Sequence, residues 1–186
     1  GGTSTASPVN KTYALSGNYN VKLVVTGPNG CKDSATDIAM VYPKPQAGFT
    51  SNNQIQCYNN HLFVFTDATT ISSGTLTRTW DFGDGTTAGG VTVNKQYAST
   101  GSYTVKLSVT SENGCTDNTT KSVTVNPSPS AGFSINNATQ CLNGNNFVFT
   151  NSTSGATGFS SSWRMGDGST AATANASRTY ATAGNY

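Results

Sequence analysis

Short runs of alternating apolar and polar residues recur along the chain, and this pattern predicts β-strands. The clearest run covers residues 102–111, where one face is apolar: Tyr103, Val105, Leu107 and Val109. A second run, 76–82, places Trp80 and Phe82 on one face. Weaker runs predict further strands at 47–51, 61–69, 91–97 and 119–125.

Turn signals separate these runs at regular spacing. Gly83-Asp84-Gly85 ends one predicted strand. Asn113-Gly114 predicts a tight hairpin turn between two others, because Asn and Gly tolerate the positive φ that such turns require. Seven or so short strands with this spacing predict an all-β chain of tandem immunoglobulin-like β-sandwiches.

The chain repeats itself with an offset of 84 residues, which becomes 83 from Trp80 onward. This register defines one complete unit at 46–127, with the C-terminal part of a unit at 1–45 and the N-terminal part of another at 128–186. Residues 168–186 and 1–19 cover the same repeat positions, so we do not expect the two ends to complete each other. We expect a stretch of a longer tandem array, with its units arranged end to end.

The composition excludes several functions. Charged residues are 10% of the chain and the net charge is +2, so the basic patch that nucleic-acid binding requires is absent from the sequence. No apolar run is long enough to span a membrane. The chain opens on GGTSTASP, without the pattern of a signal peptide. Aromatic residues reach 10% and lie in periodic positions, which favours a folded chain over a disordered one.

One motif of the complete unit resembles the PKD (polycystic kidney disease) domain family. It joins a W-x-F-G-D-G turn to a Y-x3-G-x-Y strand at a fixed distance, and its residues are Trp80, Gly83, Asp84, Gly85, Tyr97, Gly101 and Tyr103. The last copy keeps Trp163, Asp167 and Tyr180. It has Arg164 and Met165 where the complete unit has Asp81 and Phe82. The cysteine positions are similar to those of PKD repeats in long secreted surface proteins of Bacteroidota.

The resemblance implies an extracellular β-sandwich used as a spacer, an adhesion module or an accessory domain of a secreted hydrolase. We expect a non-enzymatic structural or adhesive protein at the cell surface, which forms an elongated stalk or filament. The alternative is an accessory carbohydrate-binding or spacer module of a secreted hydrolase. The expected partners are neighbouring repeats of the same chain, further copies in a fibre, and surface glycans. Two proline-bearing linkers, 42–45 and 125–129, predict stiff joints.

Asp81 and Asp84 form the one close carboxylate pair of the motif. Carboxylate oxygens are ligands that calcium prefers. The competing interpretation is that Asp84 accepts hydrogen bonds from backbone amides of its own turn. Because Arg164 replaces Asp81 in the last copy, we favour the turn and expect no cofactor, with folding that does not require calcium.

The single histidine, His61, lies at the start of a predicted strand, where we expect a solvated side chain rather than a catalytic base. The four cysteines lack the close pairs of a zinc site. In a secreted chain they predict disulfides instead, and the candidates are Cys31, Cys57, Cys115 and Cys141. Two pairings stay open: Cys57 with Cys115 inside one unit, or each first loop with the last hairpin of the next unit. We prefer the second.

Surface chemistry provides few other candidates. Five N-x-[ST] triplets mark candidate glycosylation sites, at Asn10, Asn118, Asn137, Asn151 and Asn175. Tyr58 is the one aromatic residue predicted to be exposed, and Leu142 replaces it in the next copy. Both Trp residues are expected in the core, so no repeated aromatic platform for a sugar is predicted.

Overall fold

The computed structural model of the protein describes Thr5 and residues 8–186. Part of the predicted segment 1–45, residues 1–4, 6 and 7, therefore lies outside the described residues. Backbone contacts divide the chain into two units. The first contains the residues up to Gln54 together with Leu62–Tyr97 and Ser102–Thr124, and the second contains Ile55–His61, Ala98–Gly101 and Val125–Tyr186.

A long hairpin precedes the complete repeat. Its strands are β1, Gly17–Thr26, and β2, Lys32–Val41, which pair antiparallel from Gly17 opposite Val41 to Thr26 opposite Lys32. The turn between them is closed by a hydrogen bond from the Gly27 amide to the Cys31 carbonyl at 2.8 Å.

Eight strands follow in the predicted complete unit, and they form two sheets. The strands are β3 (Phe49–Ser51), β4 (Ile55–Cys57), β5 (Phe63–Asp67), β6 (Leu76–Asp81), β7 (Thr87–Ala88), β8 (Thr92–Lys95), β9 (Gly101–Ser111) and β10 (Thr116–Asn126). One sheet has the order β4-β10-β9-β6-β7 and the other the order β3-β5-β8. In the larger sheet, β6 pairs antiparallel with β9 and places Trp80 opposite Leu107.

The core of this repeat lies between the two sheets. The Phe49 ring of β3 meets the Trp80 ring edge-on at 5.1 Å between centroids, and Phe65 of β5 lies 6.0 Å from Trp80. The alternating face of β9 closes the core with three fully buried side chains: Val105, Leu107 and Val109. These are the apolar positions from which the strand was predicted.

The second unit contains the remaining strands. They are β11 (Phe133–Ile135), β12 (Phe147–Asn151), β13 (Trp163–Arg164), β14 (Thr170–Ala171) and β15 (Ala176–Arg178). β11, β12 and β15 form one sheet in that order, and β13 pairs with β14. The Phe133 ring lies edge-on to Trp163 at 5.5 Å, which repeats the contact of Phe49 with Trp80.

The described residues contain strands and turns and no helix, which confirms the predicted all-β class. They accordingly include no helix with the length and hydrophobicity needed to cross a membrane. The sequence pattern missed two short strands, β4 and β7, because three residues or fewer are too short to show an alternation.

Candidate functional site

The Gly83-Asp84-Gly85 turn is the centre of the motif. The carboxylates of Asp84 and of Asp81, just before the turn, accept hydrogen bonds from backbone amides. Asp81 Oδ1 accepts a hydrogen bond from the Gly83 amide at 2.9 Å. Asp84 Oδ1 accepts one from the Thr86 amide at 3.1 Å and another from the Thr86 hydroxyl at 2.6 Å. Asp84 therefore stabilises the turn in the way that short polar side chains do in Asx-turns.

Glycine is required at the first position of this turn. Gly83 has φ +76°, and a Cβ placed there would lie 2.6 Å from the Thr104 carbonyl oxygen. The backbone of β9 thus approaches the turn too closely for any side chain. Gly85 also has a positive φ, +84°, but open space surrounds its Cα.

Lys95 of β8 completes the site. Its ammonium nitrogen lies 2.5 Å from Asp84 Oδ2 and sits over two rings, 5.3 Å from the centroid of Phe82 and 5.2 Å from that of Tyr97. Burial alone would raise the pKa of the Asp84 carboxyl, but hydrogen bonds from Lys95 and Thr86 hold that pKa below its usual value. The side chains of Lys95 and Asp84 are 13% and 20% exposed, so the ion pair is largely shielded from solvent.

The last copy repeats this arrangement with different residues. Asp167 Oδ1 accepts hydrogen bonds from the Ser169 amide at 3.1 Å and the Ser169 hydroxyl at 2.6 Å. The Arg178 guanidinium lies 2.5 Å from Asp167 Oδ2. The hydrogen bonds from Ser169 and then from Arg178 lower the pKa of Asp167 to about 2. Lys95 and Arg178 share one repeat position, and a cation conserved in kind at that position is the sequence signal for this pair.

This geometry bears on the calcium interpretation. Both Asp81 and Asp84 bind groups of their own turn, and Asp84 also pairs with a cation. The described residues bring together no group of three or more metal-ligating side chains. That folding does not require calcium stays a prediction.

A second polar pair was missed by sequence reasoning. The side chain of Asp67, on β5, is only 3% exposed and pairs with the guanidinium of Arg78 on β6, while its Oδ1 accepts a hydrogen bond from the Thr69 amide at 2.8 Å. Burial would raise the pKa of Asp67, but its hydrogen bonds from Thr69 and Arg78 lower it. We call this contact the β5–β6 lock.

The last copy has an equivalent of the β5–β6 lock that is formed by uncharged side chains. Asn151 stands at the position of Asp67, and its amide nitrogen donates to the Ser161 hydroxyl at 2.7 Å. Asn151 Oδ1 accepts the Thr153 amide at 2.8 Å, as Asp67 does with Thr69. An ion pair and a neutral hydrogen bond therefore hold the same two chain segments.

Tyr97 joins the turn to the start of β9, which is the role of a corner tyrosine in immunoglobulin-like sandwiches. Its hydroxyl donates to the Phe82 carbonyl at 3.0 Å, and its ring stacks on Tyr103 at 3.7 Å. Burial is the main cause that raises the pKa of the Tyr97 hydroxyl. The same stack recurs as Tyr13 on Tyr19 and as Tyr180 on Tyr186, each at 3.8 Å.

The expectation of a solvated His61 is wrong. The side chain is buried, and its Nδ1 lies 2.7 Å from the Tyr58 carbonyl oxygen. Because a carbonyl only accepts, Nδ1 carries the proton. Asn145, at the same repeat position, donates to the Leu142 carbonyl at 2.6 Å. The position requires a donor directed at the carbonyl three residues before it, and His and Asn both provide one.

All four cysteines are free thiols in this structure. Cys57 is the last residue of β4. The amide of the next residue, Tyr58, donates a hydrogen bond to the Asn126 carbonyl, so Cys57 lies near the C-terminal end of β10. Cys115 directly precedes the beginning of β10, an 11-residue strand. At about 3.3 Å per residue the two ends of β10 are roughly 30 Å apart, which excludes the pairing of Cys57 with Cys115. The pairing between successive units stays a prediction.

The remaining predicted positions have mixed outcomes. Trp80 is fully buried as predicted, whereas Trp163 is half-buried and lines a cleft, so the expectation of two core tryptophans is wrong. Tyr58 is 39% exposed, and its hydroxyl donates to the Ala98 carbonyl.

Four of the candidate glycosylation sites are exposed: Asn10, Asn118, Asn137 and Asn175. The side-chain amide of the fifth, Asn151, donates its hydrogen bond to Ser161.

Several known proteins are similar to this chain. A stretch of 123 residues, 66% of this chain, is 32% identical to Collagenase ColA of Clostridium perfringens and covers 11% of that protein. The chain thus spans about a tenth of this relative's length. Two solved PKD1 domains are also similar. That of Vibrio anguillarum Epp is 28% identical, with a TM-score of 0.39 over 44% of this chain and 93% of that domain. That of the Vibrio cholerae metalloprotease PrtV is 26% identical, with a TM-score of 0.39 over 46% and 98%.

Two facing sheets, a central buried tryptophan and a corner tyrosine define an immunoglobulin-like β-sandwich module. The chain belongs to the PKD domain family, whose sequence profile matches residues 42–127 and 125–186. It is therefore a tandem array of such modules.

Proposed function

We propose that the chain is an extracellular, non-catalytic segment of an elongated stalk or surface filament. One observation carries this proposal: the polar side chains at equivalent positions of the copies form hydrogen bonds and ion pairs within their own module. Asp84 and Asp167 hold turns, and the β5–β6 lock joins two strands. No buried side-chain nitrogen or oxygen of the described residues lacks a hydrogen-bond partner. A repeat whose polar groups stabilise its own framework suits a spacer.

The linker before the complete repeat supports a stiff joint. Asp117 of β10 accepts the Ala47 amide at 2.9 Å, and the Lys44 ammonium lies 3.3 Å from the same carboxylate. The hydrogen bond from Ala47, followed by that from Lys44, lowers the pKa of Asp117. Pro43 and Pro45 further restrict φ in this linker. We infer that this joint is tied to the module that follows it.

The strand order supports a role under tension. β9 and β10 are each 11 residues long and hold the last positions of the repeat. A force applied through the linkers pulls β10 along its own direction relative to β9. Many backbone hydrogen bonds must then break together, so the module resists extension.

Electron microscopy of the native protein tests this proposal. We expect linear particles whose length grows with the number of repeats, and compact particles with repeats folded back on each other contradict it. Small-angle scattering of Asp117→Ala should show increased bending at the first joint. Asp33→Ala is the matched control, because Asp33 holds the same position on β2 but accepts the neighbouring Ser34 amide.

A second candidate is an accessory module of a secreted hydrolase. The observation that favours it is the 32% identity to a stretch of Collagenase ColA. In this role the chain binds an insoluble substrate such as collagen or a polysaccharide near an enzyme. Pull-down on collagen and on polysaccharides tests the idea, with Tyr58→Ala as the variant and Tyr42→Ala, another exposed tyrosine, as the control. Equal retention of the wild type on every matrix and on an uncoated matrix contradicts it.

A further inference from the structure

Three Asn-Gly pairs occur in the chain: Asn29-Gly30, Asn113-Gly114 and Asn143-Gly144. In such a pair the backbone nitrogen of the glycine can attack the side-chain amide carbon of the asparagine, because glycine has no side chain that hinders the approach. The attack requires a glycine N–H that is free to lose its proton. The hydrogen bonds of the three glycine amides therefore decide which pair reacts in the folded chain.

Two of the pairs lie in hairpin turns, and their glycine amides are hydrogen-bonded. The Gly114 amide donates to the Ser111 carbonyl at 2.9 Å, and the Gly30 amide donates to the Gly27 carbonyl at 3.0 Å. Each bond closes the turn between two long strands, β9 and β10 in one case and β1 and β2 in the other. A bonded amide reacts only after local opening of the turn, so the hairpins protect both asparagines.

The third pair lies in the loop before β12, where the glycine amide is unbound. Gly144 has φ +79°, and among the described residues no acceptor is paired with its N–H. The side-chain amide of Asn143 likewise has no hydrogen-bond partner in the described part of the chain. The loop is instead held by Asn145, whose side chain donates to the Leu142 carbonyl at 2.6 Å. Both reacting groups of this pair are thus available.

The complete repeat shows that the unbound amide is a property of this loop. Asn59 and Asn60 stand at the positions of Asn143 and Gly144, and both are exposed in a repeat that has all eight of its strands. Asn60 has φ +61°, and among the described residues its N–H also pairs with no acceptor, whereas the Asn59 amide donates to Ser128 Oγ at 2.9 Å. Both copies therefore leave the same amide unbound, but only the last copy has glycine there.

We propose that Asn143 is a site of spontaneous deamidation, whereas Asn29 and Asn113 are protected by their hairpins. The Gly144 nitrogen forms a bond to Cγ of Asn143, the bond from Cγ to the side-chain nitrogen breaks, and ammonia leaves with the proton of the Gly144 amide. The product is a succinimide ring. Water then opens one of the two ring carbonyls, which gives aspartate or isoaspartate at position 143 and adds one negative charge.

The two products differ in their effect on the loop. Asn145 ties the loop to Tyr180, because its Nδ2 donates to the Tyr180 carbonyl at 2.9 Å and its Oδ1 accepts the Tyr180 amide at 2.7 Å. Isoaspartate lengthens the backbone by one carbon atom just before these contacts, whereas aspartate leaves the backbone unchanged. The inference goes beyond the proposed stalk and does not depend on it, because the reaction needs only the loop and water.

Peptide mapping by mass spectrometry tests the assignment, since each deamidation adds about 1 Da. The native protein is incubated at neutral pH, under conditions where hydrogen exchange shows the amides of β12 to be protected. In the folded chain Asn143 should deamidate about tenfold faster than Asn113, which has to break one hydrogen bond first. In urea, where that bond is lost, the two sites should react at similar rates. Equal rates in the folded chain, or an unchanged preference for Asn143 in urea, would overturn the proposal.

The glycine itself provides a second test. Gly144→Asn installs the residue that the complete repeat has at this position, where Asn60 adopts a similar positive φ, and its side chain hinders the attack. Deamidation of Asn143 should then slow at least several-fold, with little loss of stability. Gly168→Asn is the matched control, because Gly168 also has a positive φ, +85°, in open space, and it should leave the rate at Asn143 unchanged. Deamidation of Gly144→Asn at the wild-type rate, or equal slowing in Gly168→Asn, would refute the proposal.

Discussion

The ammonium nitrogen of Lys95 lies 2.5 Å from the carboxylate of Asp84. The two residues are separated by a turn and two short strands, and the pair ties β8 to the motif turn. Arg178 and Asp167 make the same contact in the last copy. A carboxylate that could be taken for a metal ligand is thus occupied by a cation of the protein itself, and this has direct consequences for stability.

Lys95→Met should lower the free energy of unfolding by about 1–2 kcal/mol, because it removes a charge-assisted hydrogen bond from a shielded carboxylate. Lys95→Arg should retain most of the stability, since arginine serves this role in the last copy. Urea denaturation measures both changes. Lys32→Met, at an exposed lysine of β2, is the control and should change stability by less than about 0.5 kcal/mol. Equal losses in Lys95→Met and Lys32→Met would contradict the role of the pair.

Acid should destabilise the fold within a defined pH range. The pKa values of Asp67 and Asp84 are lowered in the folded chain, and that of Asp167 falls from 3.8 to about 2. A lowered pKa in the folded state stabilises the fold above the unfolded value and loses this effect as pH falls through the folded value. The free energy of unfolding should therefore stay nearly constant from pH 7 to about 5 and fall between about 4 and 2. Denaturation across a pH series measures it, and a flat profile down to pH 2 would count against these pairs.

Gly83→Ala should destabilise the chain by about 3 kcal/mol or more, since a Cβ would clash with the Thr104 carbonyl and the positive φ adds strain. Gly85→Ala has a similar φ without the clash and should cost about 1 kcal/mol. Thermal unfolding of the two variants separates the close approach from the φ effect. Similar melting temperatures for both would show that the approach of β9 is unimportant.

The β5–β6 lock should tolerate exchange of both partners better than loss of one. Arg78→Ser leaves Asp67 buried without its cation and should cost about 2–4 kcal/mol. Adding Asp67→Asn installs the residues of the last copy, Asn and Ser, and should restore a large part of that loss. A double-mutant cycle by urea denaturation measures the coupling. Additive losses would mean that the two side chains act independently.

The cysteines should never join Cys57 to Cys115, because the length of β10 separates them. Peptide mapping of the oxidised native array is expected to show cross-links between successive units and none between these two residues. Intact-mass analysis with and without reduction counts the bonds formed. A mapped peptide joining Cys57 to Cys115 would require a different sheet order.

The sequence predicted the fold correctly where apolar and polar residues alternate regularly or where the repeat aligns the copies. Leu107 and Trp80 are buried where the alternation of their strands predicts, and the repeat located the motif in both copies. The burial of His61 was not predicted, because a polar residue at the start of a strand gives no sign in the sequence that its side chain turns inward and contacts the Tyr58 carbonyl. The lock was missed for a related reason: Asp67 and Arg78 meet across two strands, and the last copy replaces both charges, so no shared residue type marks the position.

The divergence of the lock between copies affects how tandem repeats fold beside one another. Adjacent modules of similar sequence are prone to exchange segments while both are incomplete. In a misfolded hybrid that placed the Arg78 strand against Asn151, the guanidinium would lack its carboxylate partner. In the reverse hybrid, with Ser161 against Asp67, the carboxylate of Asp67 would lack its cation. We therefore expect the lock to favour pairing between segments of the same module and to disfavour exchange with its neighbour.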